Sequence, residues 1–182
     1  MFAPAQMNFL ADGRRMHLNH GPIDLIIQAV GDPEEVGQSY RQAKTCFPQI
    51  LPALVSELSN LRRPFDQTQK PAGTVARRMY EVCSKYSETF VTPMAAVAGA
   101  VADEVLYCMI AGRNLDKAYV NNGGDISFYL SEGHSLTAGL ISDYYLPSID
   151  GECLLNFELP VRGIATSGWK GRSFSIGIAD SV

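Results

Sequence analysis

The chain has 182 residues, of which 46% are hydrophobic and 19% are charged, a composition typical of a single globular domain. The net charge is -4 and the basic runs are isolated arginine pairs, which argues against a nucleic-acid-binding surface. No basic segment followed by an apolar core stands at the start, and the longest apolar run, residues 93–102, is shorter than the roughly 18 residues of a membrane helix. We therefore expect a cytoplasmic protein with no membrane partner.

A β-hairpin and a strand are predicted first. Asp12-Gly13 lies between two alternating runs within residues 8–18, a signal for a type I′ turn with two positive φ angles. Residues 23–30 are rich in isoleucine and bounded by glycine, which indicates a buried strand.

Helices are predicted next. Asp32 is suited to cap a helix that reaches about residue 47, with proline as its first residue. Pro48 and Pro52 then predict a second, separate helix, because a proline inside a helix loses a hydrogen bond. Residues 61–73 are typical of a linker, although too short to separate domains. A helix over residues 74–86 is predicted from an apolar set at helical spacing: Val75, Met79, Val82 and Cys83.

The four cysteines, Cys46, Cys83, Cys108 and Cys153, are far apart in the sequence and have apolar neighbours. Because no Cys-x-x-Cys pair occurs, the spacing indicates neither a zinc site nor a redox dithiol. We expect four buried free thiols in a reducing compartment.

A helix of small residues occupies the centre of the chain. Thr92 is suited to the N-cap, Pro93 to the first helical position, and Gly112 to the end. Residues four apart share a helix face, so small side chains form two stripes along which a sheet or a ligand can approach closely. One stripe holds Ala95, Gly99 and Asp103, and the other holds Ala98 and Ala102.

Strands dominate the second half, at residues 118–121, 126–130, 136–141, 154–159 and 174–178. Their connections are short and contain glycine, asparagine, aspartate or proline. We therefore predict an α+β fold, with antiparallel sheets and helices packed on one face, as a single domain over residues 1–182.

The loop Asn121-Asn122-Gly123-Gly124-Asp125 has two interpretations. Asn-Gly and Gly-Gly are typical of a simple hairpin turn. Adjacent glycines also allow positive φ and leave backbone N–H groups uncovered, which suits a small anion-binding concavity.

The turn Thr166-Ser167-Gly168 likewise has two interpretations. Two hydroxyls beside exposed N–H groups suit a phosphate or a carboxylate, and Lys170 and Arg172 would add positive charge. A solvated β-turn explains the same residues equally well.

Two carboxylates are candidates for a magnesium site. Mg²⁺ takes oxygen ligands together with phosphates and waters, and Asp125 follows the double glycine. The simpler expectations are that Asp125 accepts hydrogen bonds within its own turn and that Asp103 faces solvent. The three histidines, His17, His20 and His134, stand at no motif spacing, so we expect turn or surface residues and no hydrolase triad.

Three segments in order, residues 92–103, 120–126 and 163–182, resemble motifs of the ApbE-like superfamily, best known for magnesium-dependent FAD:protein FMN transferases. The chain is most similar to a shorter branch of proteins of unknown function. The resemblance implies two related α/β halves and a flavin nucleotide pocket. Its ligand-binding residues would be Asn122, Gly123, Gly124, Asp125, Thr166, Ser167 and Gly168. We assign Thr92 and Met94, at the start of the small-residue helix, to the same site.

The chain also departs from the transferases. Their His-x-x-Asp-Pro-x-Thr-Gly stretch is absent after the Thr-Ser-Gly turn, and their metal-binding Asp and Thr lie on a later helix than any in this sequence. We expect that a C-terminal helix of the domain is missing, and catalytic and metal-binding residues stay unassigned.

Three functions follow as hypotheses. The first is an ApbE-like protein that binds a small anionic ligand such as a flavin nucleotide. The second is a magnesium-dependent FAD:protein FMN transferase, with FAD or FMN and magnesium as cofactors and a protein serine or threonine as acceptor. The third is a non-enzymatic interaction or structural subunit, and a homo-oligomer is compatible with all three.

Overall fold

The structure, a computed structural model, describes residues 3–141 and 148–165. The strands are β1 Gln6–Phe9, β2 Met16–His20, β3 Ile23–Gly31, β4 Leu115–Asn122, β5 Asp125–Leu130, β6 Ser135–Leu140, β7 Gly151–Asn156 and β8 Gly163–Ile164. Six of them form a sheet with the order β1-β2-β3-β4-β5-β8, and β6 and β7 form a separate hairpin. All pairings are antiparallel. The helices are α1 Pro33–Ser56, α2 Leu58–Leu61, α3 Thr74–Cys83 and α4 Val97–Ile110, with short 3₁₀ turns at Ser84–Tyr86 and Pro93–Ala96. The predicted α+β class with antiparallel sheets is confirmed. The predicted strand at residues 174–178 lies outside the described residues.

The main core lies between the sheet and the helices. Side chains alternate across a strand, so Leu25 and Ile27 share one face of β3. They belong to the same core cluster as Phe47 of α1 and Met109 of α4, and all four are fully buried. A smaller cluster of Phe128, Leu130 and Leu155 joins β5 to β7. Helices and the β6–β7 hairpin therefore cover the sheet at different places.

Helix α1 runs without interruption through both of its prolines, so the prediction of a separate second helix is wrong. Its first turn is as predicted, because the Asp32 carboxylate accepts the N–H groups of Glu34 and Glu35. Pro52 is exposed and Pro48 is half-buried, so water can reach the carbonyl groups that lose partners. The helix continues because Phe47, Ile50, Leu51 and Leu54 bury one face against the core.

The β1–β2 hairpin is confirmed, but its turn is not type I′. Residues 10–15 form a longer loop in which Gly13 alone has a positive φ, of 65°. The Asp12 carboxylate accepts the N–H groups of Arg14 and Arg15, each at 2.9 Å. These bonds, that of Arg15 first, lower the pKa of Asp12 to about 2.

Helix α3 is confirmed, with a 3₁₀ turn after it. The predicted linker over residues 61–73 forms neither helix nor strand except at Leu61, the last residue of α2. The buried set of α3 differs from the prediction. Val82 is 44% exposed, whereas Ala76 is 2% exposed. The apolar face is therefore rotated slightly from the one that spacing indicated.

The segment Pro93–Ile110 is eighteen residues long with a mean hydropathy of 1.4, long and apolar enough to cross a membrane. The prediction that no segment reaches this length is therefore wrong. By itself this is weak evidence for a membrane span, because the core helix of a globular domain has the same properties. Here α4 packs against the sheet, α1 and α3, and a cytoplasmic location stays a prediction.

Tyr40 of α1 ties the helix to the β1–β2 hairpin. Its hydroxyl accepts the Ala29 N–H at 3.1 Å and donates to the Arg14 carbonyl. The side chain is 6% exposed, so its loss leaves two polar backbone groups unpaired. We expect Tyr40→Phe to lower the free energy of unfolding by about 1–3 kcal/mol in urea titrations. Tyr80→Phe is the control, because its 2.8 Å bond to the Gln67 carbonyl lies at the surface, and an equal loss in both variants would contradict this role.

The same residue predicts a pH dependence. Burial raises the pKa of Tyr40 above its ordinary value of 10.0. The unfolded chain therefore binds fewer protons than the folded chain above pH 10, so stability falls as the pH rises through that range. In Tyr40→Phe the alkaline loss of stability should be smaller than in the wild type.

Candidate functional site

Strands β4 and β5 are joined by the two-residue turn Gly123-Gly124, with φ angles of 64° and 109°. The hairpin interpretation of this loop is thus confirmed. The Gly124 N–H donates to Asn121 Oδ1 at 2.9 Å, so this amide is already paired within the turn. Gly123 is exposed, and the absence of a Cβ there permits close approach of a ligand to the backbone.

The turn is fastened to helix α4. Asn122 Nδ2 donates to the Ala98 carbonyl at 3.0 Å. One residue further along α4, a Cβ added to Gly99 would meet no atom within 4 Å. The small-residue stripe therefore has open space at Gly99, although other residues of α4 pack on the sheet.

A hydrogen bond between two side chains connects β5 with α4. Asp103 Oδ1 accepts a hydrogen bond from the Ser127 hydroxyl, and Ser127 is 4% exposed. Asp103 itself is 52% exposed, in line with the expectation that it faces solvent. Asp125 lies two residues before Ser127 and so shares its face of the sheet. Ser127 was missed by sequence reasoning, although this alternation from Asp125 is a signal that could have found it.

Arg78 of α3 is the second residue that sequence reasoning missed. Its Nη1 donates to the Ala100 carbonyl at 3.1 Å and lies 3.2 Å from Glu104 Oε2, and its Nε lies 4.0 Å from Asp103 Oδ2. Arg78 thus stands between two acidic side chains of α4, those of Asp103 and Glu104. We call Arg78, Ala98, Gly99, Asp103, Asn122, Gly123, Gly124, Asp125 and Ser127 the turn site.

Thr92 and Met94 precede this region. Thr92 stands at the predicted N-cap position with Pro93 after it, but its side chain makes no capping bond and the α-helix begins only at Val97. Its carbonyl accepts the Ala95 N–H at 3.0 Å, and Met94 packs against the main core. Gly112 follows the helix end with a φ of 67°, as predicted. The ligand-binding role of Thr92 and Met94 stays a prediction.

Thr166, Ser167 and Gly168 lie outside the described residues, as do Lys170 and Arg172. The strand before them is described: Ile164 of β8 is paired with Ile126 of β5. Because the two strands are antiparallel, the chain leaves β8 in the direction of Asp125 and the Gly123-Gly124 turn.

Two clefts lie elsewhere in the molecule. One, of about 460 Å³, is lined by residues of β3, β4 and β6 and by Arg14 and Lys117. The other, of about 430 Å³, lies between α1 and α4. Neither includes the Gly123-Gly124 turn.

The histidines give no support for a hydrolase. His20 is only 7% exposed, which contradicts the expected turn or surface position, and His17 pairs with Asp24 on neighbouring strands. His134 Nδ1 lies 3.0 Å from the Ser131 hydroxyl, and its Nε2 lies 3.8 Å from Asp116 Oδ1. This group resembles a triad, but the Ser131 hydroxyl donates to the Asp116 carbonyl and the contact to the carboxylate is too long for a hydrogen bond.

Comparison with known proteins gives two matches. Residues 7–182 match the model of a family described as AbpE bacteria. The chain is also similar to a UPF0280 protein of Methanothrix thermoacetophila, with 35% identity over 121 residues, or 64% of this chain and 47% of the relative. The matched region thus spans about half the length of that curated relative.

Proposed function

Because the chain belongs to the protein family described as AbpE bacteria, we propose that it is an ApbE-like protein that binds a flavin nucleotide. The phosphate groups of the nucleotide would bind at the turn site. The observation that carries this proposal is the Gly123-Gly124 turn, whose backbone has two positive φ angles and no side chains and is held to α4 by Asn122. Phosphates bind where backbone approaches closely and N–H groups are accessible. The direction of β8 supports a contribution from Thr166, Ser167 and Gly168.

The charge of the turn site favours a ligand that brings a divalent cation. A bare phosphate would be repelled, since the carboxylates of Asp103 and Glu104 together outweigh the single positive charge of Arg78 that they contact. Asp103, Asp125 and Ser127 offer the oxygen donors that Mg²⁺ prefers, and phosphates and waters usually complete its shell. These residues would hold the ion only together with the ligand. Among the described residues of the turn site, no three acidic, histidine or cysteine side chains have ligand atoms within 4.8 Å of one another. Bound Mg²⁺ would neutralise phosphate charge.

The test is a titration with FAD, FMN and riboflavin, each with Mg²⁺ or with EDTA, followed by flavin fluorescence and by thermal unfolding. We expect FAD or FMN to bind in the presence of Mg²⁺. Removal of Mg²⁺ with EDTA should weaken binding at least about tenfold, or 1.4 kcal/mol. Riboflavin, which lacks a phosphate, should bind more weakly by the same factor. At 100 times its dissociation constant the ligand should raise stability by about 2.7 kcal/mol. No shift with any flavin would contradict the proposal and favour an interaction subunit.

A requirement for Mg²⁺ in that titration would also favour the second candidate, a magnesium-dependent FAD:protein FMN transferase. Incubation with FAD, Mg²⁺ and candidate acceptor proteins separates it from simple binding. Release of AMP together with an acceptor heavier by the FMN moiety would support the transferase. Binding of FAD without AMP release would leave the binding function alone.

A further inference from the structure

Cys46, Glu104 and Cys108 form a cluster that the sequence does not indicate. Their candidate ligand atoms, two sulfurs and a carboxylate oxygen, all lie within 4.8 Å of one another. Glu104 and Cys108 are four residues apart and so share one face of α4, and Cys46 approaches from α1. Among the described residues this is the one group of three or more such ligands that close together. Cys46 and Cys108 are far apart in the sequence, as stated above, and only the packing of α1 on α4 brings their sulfurs together.

The surroundings of the cluster are those of a site with one open side. All three residues are half-buried, and both thiols line the cleft of about 430 Å³ between α1 and α4. The side chain of Glu104 is only 16% exposed, and its Oε2 forms an ion pair with Arg78 Nη1, 3.2 Å away. Gln42 lies one turn before Cys46 and lines the same cleft, and its Oε1 is buried without a hydrogen-bond partner. A buried acceptor oxygen thus lines the cleft that both thiols line, and buried acceptors normally have partners.

The two thiols interact with each other. The contact with Cys46 lowers the pKa of Cys108, whereas the same contact and burial raise the pKa of Cys46. All four cysteines are free thiols, so both sulfurs remain available as ligands.

The chemistry of the donors selects the kind of ion. Thiolates favour zinc and other soft or borderline ions over magnesium. In tetrahedral zinc sites the Zn–S distance is about 2.3 Å, which places two sulfurs roughly 3.8 Å apart, within the range of this cluster. Two thiolates and a carboxylate around a divalent ion carry a net charge of -1, and Arg78, 3.2 Å from Glu104, balances that charge.

We propose that Cys46, Glu104 and Cys108 form a binding site for a thiophilic divalent cation such as Zn²⁺, with a fourth position open to water from the cleft. Catalytic zinc sites combine three protein ligands with one water in this way. Gln42 Oε1 is placed to accept a hydrogen bond from that water. The metal site faces the groove between α1 and α4 and uses none of the ligands of the flavin proposal, and the two sites share only Arg78, which contacts Glu104.

The test is titration of the full chain, reduced and metal-free, with Co²⁺ as a spectroscopic substitute, followed by competition with Zn²⁺. We expect one equivalent of Co²⁺ to produce thiolate-to-cobalt charge-transfer absorption that Zn²⁺ abolishes. Cys108→Ser and Glu104→Gln should each weaken binding at least about tenfold. Cys153→Ser is the matched control, since Cys153 is a half-buried free thiol outside the cluster, and it should bind as the wild type does.

Circular dichroism and thermal unfolding of each variant without metal show whether it is folded. Cys46→Ala is the second variant, because it removes the other sulfur without adding a polar group. The proposal is overturned if the wild type shows no charge-transfer absorption, or if the folded Cys46 and Cys108 variants bind Co²⁺ as tightly as the wild type. A Cys46–Cys108 disulfide, with no Co²⁺ binding after its reduction, would overturn it as well.

Discussion

Phe47→Ala is expected to lower the free energy of unfolding by about 3–5 kcal/mol, since large-to-small changes in a packed core lose buried area and leave a cavity. Phe47 is fully buried, and its ring packs edge-on against His20, with 6.2 Å between the ring centroids. It belongs to the face of α1 that keeps the helix continuous through two prolines. The substitution should therefore destabilise α1 and the sheet together.

The measurement is urea unfolding at neutral pH, followed by far-ultraviolet circular dichroism. Phe90→Ala is the control, because the side chain of Phe90 is 81% exposed and its removal should change stability by less than about 0.5 kcal/mol. A loss below about 1 kcal/mol for Phe47→Ala would show that this position is not packed as described.

Gly124→Val is expected to lower the affinity for FAD or FMN with Mg²⁺ at least about tenfold, or 1.4 kcal/mol. Gly124 has a φ of 109°, which a β-branched residue rarely adopts. The turn must therefore change shape, which displaces the Asn122 side chain from the Ala98 carbonyl and moves Asp125. The expected loss of affinity rests on the proposed function, whereas the backbone strain of a valine at this φ angle does not.

Gly133→Val is the matched control for this variant. Gly133 has a φ of 79° in the turn between β5 and β6, away from the turn site. Both variants should lose about 1–2 kcal/mol of stability through the left-handed backbone. Flavin affinity, measured by fluorescence titration on folded protein, should fall for Gly124→Val alone, and an equal fall in both would remove the turn from the ligand site.

Features set by neighbouring residues were predictable from the sequence. The Asp32 cap, the Gly123-Gly124 turn and the helix end at Gly112 each depend on chemistry within a few residues. The order of helices and antiparallel strands followed from periodicity in the same way. Local hydrogen bonds and allowed backbone angles act at short range, so short patterns reveal them.

Features that depend on packing were not predictable. Helix α1 continues past Pro48 because distant strands cover one of its faces, and no local pattern shows that burial. Arg78 and Ser127 reach Asp103 from separate elements, and Cys46 reaches Cys108 only because α1 packs on α4. The sequence determined the elements and the candidate turn. The tertiary structure decided which charges and thiols meet, because those contacts depend on how helices and strands separated in the chain pack together.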